Sequence, residues 1–374
     1  MKELATILGI CSARLENALA LATLVKTSGS TYRRPGARML VLRNGEPVGS
    51  VSAGCLERDV VEKAQAASQK GESILVTYDT SAEEDIVFGA GLGCKGTAHI
   101  LIEPLRPGSA ADDFIRFAGG IFQRRQSGAA ATVFHVRGNV PARIGDRLML
   151  DTDGNVTGQI GEQNLRAQLL GAATESLSAN RTRTVQFELP GGGAEVLVEV
   201  IDAPAPLVIF GAGYDAAPLA RLAREAGYHV TVADVRPAYA QVARFPEADA
   251  VVVVRPEAIA ALGLNQRTAA VIMSHNYLTD CAFLKAALPL KLRYLGLMGP
   301  RARALQMLQE LRLPGLEMED DLLRRIHNPV GLDIGAENPE QIALAILAEI
   351  QAVMAGRPGG SLSEKKGPIH GPTL

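Results

Sequence analysis

The chain alternates between two hydrophobic periods. Lys2 to Leu15 has the i, i+3, i+4 spacing of an amphipathic helix, and the apolar run Ala18 to Lys26 predicts a strand. Ala37 to Leu42 predicts a second strand, Asn44 and Gly45 a hairpin turn, and a return strand then enters GSVSAGCLERD, Gly49 to Asp59. From there Leu56, Val60, Val61 and Ala64 recur at helical spacing, with Glu57, Arg58, Asp59, Glu62 and Lys63 on the polar face, which predicts a helix over Leu56 to Ala67. Glu72 to Tyr78 reads as a strand, and another ends at Glu103. Up to Asp202 the pattern predicts helices over Asp112 to Arg125 and Asn164 to Ala172. Strands are predicted over Ala130 to Val136, Arg147 to Leu150, Thr182 to Phe187 and Ala194 to Ile201, with Gly191 to Gly193 as a hairpin turn. These elements complete an α+β domain over residues 1–202 in which 110–202 show no chemistry.

Ala203 to Pro206 is a linker whose two prolines break any continuing element. A different alternation follows. Leu207 to Phe210 predicts a buried parallel strand, Gly211, Gly213 and Ala216 the small positions of a GxGxxA turn, and a helix runs to Glu225. His229 to Ala233 is the next strand, and Asp234 stands at its tip, 21 residues after Gly213. Strands at Ala250 to Val254, Ala269 to Met273 and Tyr294 to Met298 continue the series, and Asn338 caps a long helix that starts at Pro339 and stops at Gly356. The fold class is therefore α/β, an N-terminal α+β domain followed by a C-terminal Rossmann-like, doubly wound parallel sheet over 207–356. The tail from Arg357, rich in Gly, Pro and Lys, is expected to be disordered.

Composition narrows the classes. Hydrophobic residues form 47% of the 374, enough for two cores, and with aromatics at 4% and no Trp those cores rest on Leu, Val, Ile and Ala. A net charge of -2 leaves no electrostatic footprint for nucleic acid or an anionic membrane, and no apolar run is long enough to span a bilayer. Cysteines 11, 55, 94 and 281 make neither a CxxC pair nor metal-ligand spacing, and no secretory leader is visible, so reduced thiols and a cytoplasmic location are expected.

Cys55 is the foremost candidate. Ser50, Ser52, Ala53 and Gly54 before it are small enough for close backbone approach, and a thiol in the first helical turn would feel the positive end of the helix dipole beside N–H groups that suit a phosphate. The alternative is a small buried residue that packs the loop. Arg33, Arg34 and Arg38 put three guanidinium groups within six residues of the preceding loop, either solvated at the surface or suited to hold phosphate or carboxylate. If both loops lie at one sheet edge, arginines and thiol share a pocket. GAGLGCKG adds Gly93 and a second thiol, Cys94, but a strand follows it, so it is not a second dinucleotide turn; His99 reads as a sheet residue. In the C-terminal domain the turn predicts a dinucleotide pyrophosphate on the helix and a ribose on Asp234, or else a frame kept for assembly or a different nucleotide. Ser274, His275 and Asn276, and Gly299, Pro300 and Arg301, follow strands whose ends face the ligand crevice, with His275 either an acid or base or a loop residue.

GSTYRRPGARML, GSVSAGCLE, GLGCKG, FGAGYDAAPLA, DVRP, MSHNYLTD, LGLMGPR and NPVGLDIGAENPEQIALAILAEI occur in the order found in the XdhC/CoxI family, which this chain resembles over almost its whole length. The resemblance implies an accessory protein for a molybdenum hydroxylase of the xanthine dehydrogenase or carbon monoxide dehydrogenase class. It would bind molybdenum cofactor, as molybdopterin or its dinucleotide form, hold it while a cysteine desulfurase provides the terminal sulfido ligand, and deliver it to the apoenzyme. Members dedicated to xanthine dehydrogenase often lack the cysteine that this loop carries, whereas the CoxI-like branch has it, so the client stays open. On this reading Cys55 ligates molybdenum or carries sulfur, and Arg33, Arg34, Arg38, Ser52, Gly54, Gly93, Cys94, Gly211, Gly213, Ala216, Asp234, Arg236, Ser274, Asn276 and Arg301 hold the cofactor or a separate NAD(P). A homodimer is expected. The competing expectation is an NAD(P)-dependent oxidoreductase with His275 as acid or base.

Overall fold

A computed structural model describes residues 2–29, 31–79, 96–158, 160–311 and 325–366. The chain divides into two compact units, Met1–Ala203 and Pro204–Leu374. No helix among the described residues is long and apolar enough to cross a membrane.

The first unit is one motif built twice. Helix α1 (Lys2–Arg14) leads into β1 (Ala18–Gly29), β2 (Arg38–Leu42), β3 (Pro47–Gly49), α2 (Glu57–Lys70), β4 (Ile74–Asp79) and β5 (Gly96–Pro104). The same order follows in α3 (Ala110–Arg124), β6 (Ser127–Gly138), β7 (Arg147–Asp151), β8 (Val156–Thr157), α4 (Gln163–Ala179), β9 (Arg183–Leu189) and β10 (Gly192–Asp202). Both sheets are antiparallel with one topology, β3-β2-β1-β5-β4 and β8-β7-β6-β10-β9. Equivalent residues lie 109 positions apart without a break from Ala18 and Ser127, which open β1 and β6, to Gly71 and Asn180, the left-handed caps that end α2 and α4. Gly49 and Gly158 are also equivalent: φ is +86° and +99°, and a Cβ there would lie 2.6 and 2.1 Å from the carbonyl oxygens of Arg38 and Arg147. The stretch 110–202, where sequence showed only a completing α+β segment, is thus a second copy of the first.

The copies are clasped through their sheets. Helix α2 covers one face of the first sheet with Val60, Ala64 and Ala67, and α4 covers the second with Leu165, Leu169 and Ala173. At the contact between sheets Val25 and Leu101 meet Phe134 and Leu197, their equivalents. Two ion pairs cross this contact. Arg38 of the first copy binds Glu199 of the second, and Arg147 of the second binds Glu103 of the first, with side-chain exposures of 5% or less at all four residues. Both guanidinium groups also lie over the ring of Phe114, at 4.2 and 5.1 Å from its centroid.

The second unit is a five-stranded parallel sheet in the order β13-β12-β11-β14-β15. Its elements are β11 (Pro206–Phe210), α5 (Ala216–Glu225), β12 (His229–Asp234), β13 (Ala250–Val253), β14 (Ala269–Ile272), α6 (Tyr277–Ala287), β15 (Tyr294–Leu297), α7 (Arg301–Leu311) and α8 (Pro339–Met354). Leu207 and Ile209 face α5 and α8, whereas Val208 and Phe210 face α6 and α7, so both faces of the sheet are covered and its strands are continuous apolar runs. This is the doubly wound arrangement expected from the sequence. A 3-10 stretch, Pro256–Leu262, stands where a crossover helix would join β13 to β14. Asn338 and Gln341 form a capping box at the start of α8. Beyond α8, Leu362–Glu364 make a 3-10 turn where composition predicted disorder, and residues 367–374 lie outside the description.

Candidate functional site

Strand register brings the motif loops of the first unit to one end of one sheet. Met39 pairs with Gly49, and the Ser50 amide donates to the Arg38 carbonyl at 3.1 Å, so the loop before β2 and the loop after β3 are neighbours, as expected. Gly29 pairs with Gly96 at the same end, where β5 begins. Gly93 and Cys94 lie outside the described residues.

The loop Ser50 to Leu56 is organised around the carboxylate of Glu57. Its Oε1 accepts from the Ser50 hydroxyl (2.7 Å) and the amides of Val51 (3.0 Å) and Ser52 (2.8 Å). Its Oε2 accepts from the Ser52 hydroxyl (2.5 Å) and the amides of Gly54 (2.8 Å) and Leu56 (3.1 Å). Burial alone would raise this carboxyl, but the hydroxyls of Ser52 and Ser50 and the backbone donors outweigh it and hold the group at about 2. Both the helix start and the amides beside it differ here from the sequence expectation. Helix α2 starts at Glu57 with Leu56 as its cap, so Cys55 stands before the helix rather than in its first turn. Of the N–H groups around this helix start, those of Val51, Ser52, Gly54 and Leu56 already serve Glu57. The thiol is exposed rather than packed into the loop. By contrast Cys11 is buried, its thiol pushed up to about 11 by burial and then by Asp112, and burial also raises half-buried Cys281.

The arginines divide into three roles. Arg38 is held in the buried clasp to Glu199, Arg33 pairs with Glu3, and Arg34 is exposed with no partner among the described residues. All three border a cavity of about 300 Å³ with Glu3, Thr182 and Glu199; Cys55 is not among its lining residues, so the expected common pocket is not formed there. A larger hollow of about 770 Å³ lies between α3 and β7 to β8, but its charges answer one another, Arg124 with Asp151, Arg116 with Asp113 and Arg147 with Glu103.

In the second unit the strand tips carry a polar cluster. Gly211 (φ +122°) is required because a Cβ would lie 2.6 Å from the Met273 carbonyl oxygen, and a Cβ on Gly213 would lie 2.8 Å from Oδ1 of Asp215. The small residues of the turn therefore admit the neighbouring loop and the Asp215 carboxylate, while Ala216 is buried as the first residue of α5. Asp215 meets Nε2 of exposed His275 at 2.6 Å, and His275 is held at φ +59°. Asp234 is buried. Its Oδ2 accepts from the Ala212 amide (2.7 Å) and from Arg236 Nη2 (2.8 Å), and its Oδ1 from Arg236 N and Nε (2.9 Å each). Burial would raise this carboxyl, but Arg236 and the Ala212 amide hold it below the usual range. Arg236 lies 3.7 Å over the ring of Tyr239. Ser274 donates through both N and Oγ to Asp280, which also binds Arg303, whereas Asn276 caps α6 by accepting from the Thr279 amide and Arg301 is exposed at the start of α7.

Sequence reasoning missed Glu57, Asp215, Asp280 and Arg303. Spacing alone held one signal, Asn276 of MSHN set one turn before Asp280. No group of three or more His, Cys, Asp or Glu able to hold a metal ion occurs among the described residues.

Comparison with known proteins adds three findings. The sequence model of the XdhC and CoxI family matches residues 13–79 and 121–188, which are equivalent parts of the two copies, and that of the XdhC Rossmann domain matches 207–350. The chain is 31% identical over 334 residues to a Bacillus subtilis protein named as a probable xanthine dehydrogenase subunit (88% of this chain, 91% of the other). It is 26% identical over 335 residues to an Escherichia coli protein named molybdenum cofactor insertion chaperone PaoD (89% and 82%). Its fold matches the crystal structure of a protein described as a xanthine dehydrogenase from Bacillus halodurans, with a TM-score of 0.76 at 26% identity over 98% of both chains.

Proposed function

Because the chain belongs to the XdhC and CoxI family, we propose that it is an accessory protein whose cargo is molybdenum cofactor. In this reading it holds the cofactor while a cysteine desulfurase supplies the terminal sulfur, and then passes it to the apoenzyme of a molybdenum hydroxylase. The observation that carries the reading is the exposed thiol of Cys55 on a loop fixed by Glu57. A thiolate is the soft donor that suits a thiophilic metal centre. Arg34, exposed and unpaired among the described residues, with Arg33 beside it, supplies the guanidinium chemistry for the pterin phosphate at the same end of the sheet.

The geometry gives less support to an NAD(P)-dependent oxidoreductase. Asp215 sits at the N-terminus of α5, where a pyrophosphate would bind, so like charges would meet there. Asp234 would have to release Arg236 before it could take a ribose hydroxyl.

The test is anaerobic titration of the apo-protein with cofactor released from a purified molybdoenzyme, with bound pterin read by fluorescence after oxidation and NADH and NADPH titrated in parallel. Cys55→Ala is expected to weaken cofactor binding at least about tenfold at unchanged melting temperature. Equal binding by Cys55→Ala would remove the thiol from the mechanism. Binding of NADH or NADPH without any cofactor binding would favour the oxidoreductase.

A further inference from the structure

The two copies in the first unit allow the chain to serve as its own control. What both share is architecture: the crossed arginines Arg38 and Arg147, the hairpin glycines Gly45 and Gly154, and the close-approach glycines Gly49 and Gly158. What one copy alone possesses needs another explanation.

The copies part company between β3 and α2. On both sides of the loop the register holds: Val51 and Ile160 are buried before it, and Leu56 and Leu165, Val60 and Leu169, and Ala64 and Ala173 are buried after it. No residue has been inserted or deleted. In the second copy Gln163, Asn164 and Leu165 are the first turn of α4, and Glu162 caps it by accepting from the amides of Asn164 and Leu165. Their equivalents in the first copy, Gly54, Cys55 and Leu56, lie outside α2, which begins only at Glu57. That turn has been unwound, Ala53 and Gly54 have φ of +67° and +115°, and the amides of Gly54 and Leu56 are gathered by the Glu57 carboxylate. Arg166 occupies the position of Glu57 in the second copy, with the opposite charge.

We propose that Glu57 is a positioning residue that keeps this turn unwound and so presents Cys55, and that the first copy alone is the cofactor-binding half. The second copy, wound and without a thiol at Asn164, is scaffold. The proposal rests on the reading of Cys55 as the cofactor thiol, and it gives the duplicated unit one working loop.

Glu57→Gln keeps the size of the side chain but turns an amide toward donors that need an acceptor. The freed turn then winds as in the second copy or frays, and in either case the setting of the Cys55 thiol changes. Alkylation of Cys55 by iodoacetamide at neutral pH is expected to change at least about twofold, because access to the thiol governs its reaction, while cofactor affinity falls at least about tenfold. Glu162→Gln is the matched control: it removes a helix cap in the other copy and is expected to lower the melting temperature without moving either readout. A shift in Cys55 alkylation together with weaker binding is what a merely structural role would not produce. If Glu57→Gln leaves both readouts at wild-type values, or changes only the melting temperature, the proposal falls. If Cys55→Ala loses cofactor and Glu57→Gln does not, the thiol reading stands and Glu57 is not its positioning residue. If the wild type binds no cofactor, the thiol reading fails and alkylation alone decides whether Glu57 controls the loop.

Discussion

Removing either crossed arginine is expected to destabilise the N-terminal unit, and by unequal amounts. Arg147 donates Nε to the Thr132 hydroxyl (2.7 Å), Nη1 to the Ala110 carbonyl (2.8 Å) and Nη2 to Glu103 (2.8 Å). Arg38 donates Nη1 to the Gly36 carbonyl (3.0 Å) and Nη2 to Glu199, while its Nε is buried without a partner, as is the Thr23 hydroxyl, the equivalent of that of Thr132. Replacing either arginine by Met leaves a buried carboxylate uncompensated, a loss of about 3–5 kcal/mol. Arg147→Met should exceed Arg38→Met by about 1–2 kcal/mol, the worth of one more hydrogen bond to a charged group. Replacing both members, as in Arg38→Met with Glu199→Leu, should recover most of the loss, because no unpaired charge remains. Urea unfolding followed by hydrogen exchange at the amides of β1 and β6 reads this unit alone. A cost below about 1 kcal/mol for Arg38→Met, or a double variant as unstable as the two single losses added together, would refute the role given to the unpaired charge.

Gly49→Ala and Gly158→Ala should each cost more than about 1 kcal/mol in melting experiments, because they meet equivalent carbonyls, those of Arg38 and Arg147, in the same backbone conformation. The stability difference between wild type and Glu57→Gln should be full above the ordinary carboxyl value of 4.5 and vanish as pH falls toward about 2, since the folded state holds this group low; urea midpoints at several pH values check the sign. Asp234→Asn should lower the stability of the C-terminal unit by about 1–2 kcal/mol through weakened bonds to Arg236 and Ala212; unchanged melting would show that the carboxylate is not what fixes the turn.

Local pattern made most elements legible. The parallel strands, the glycine turn and the Asn338 cap follow from periodicity and punctuation, because each depends on residues a few positions apart. The duplication was harder to see, although Arg34-x-Gly36-x-Arg38 and Arg143-x-Gly145-x-Arg147 sit at the same spacing before Asn44-Gly45 and Asp153-Gly154. These signals are sparse, and the intervening core positions keep mostly apolar character rather than identity. The clasp was invisible because its partners are more than forty residues apart at the nearest, Glu103 and Arg147 being 44 apart. The candidate site was half legible. Small residues and a cysteine marked the loop after β3, but periodicity assigned Glu57 to the polar face of a helix, and nothing in spacing says that a side chain will fold back to collect amides from the preceding turn. Likewise GxGxxA predicted the turn correctly, while the occupant of the helix N-terminus, Asp215, was read only as one of the variable positions.

The crossing of the two ion pairs also bears on how the N-terminal unit comes apart. Had each copy closed its own Arg–Glu pair, opening one half would have left the buried charges of the other paired. Because each arginine is answered by the other copy, opening one half strips charge compensation from both, so the two should behave as a single foldon. The exposed connection at Arg106 to Gly108 then contributes connectivity rather than strength. A chain cut there should stay associated as two fragments that melt in one transition.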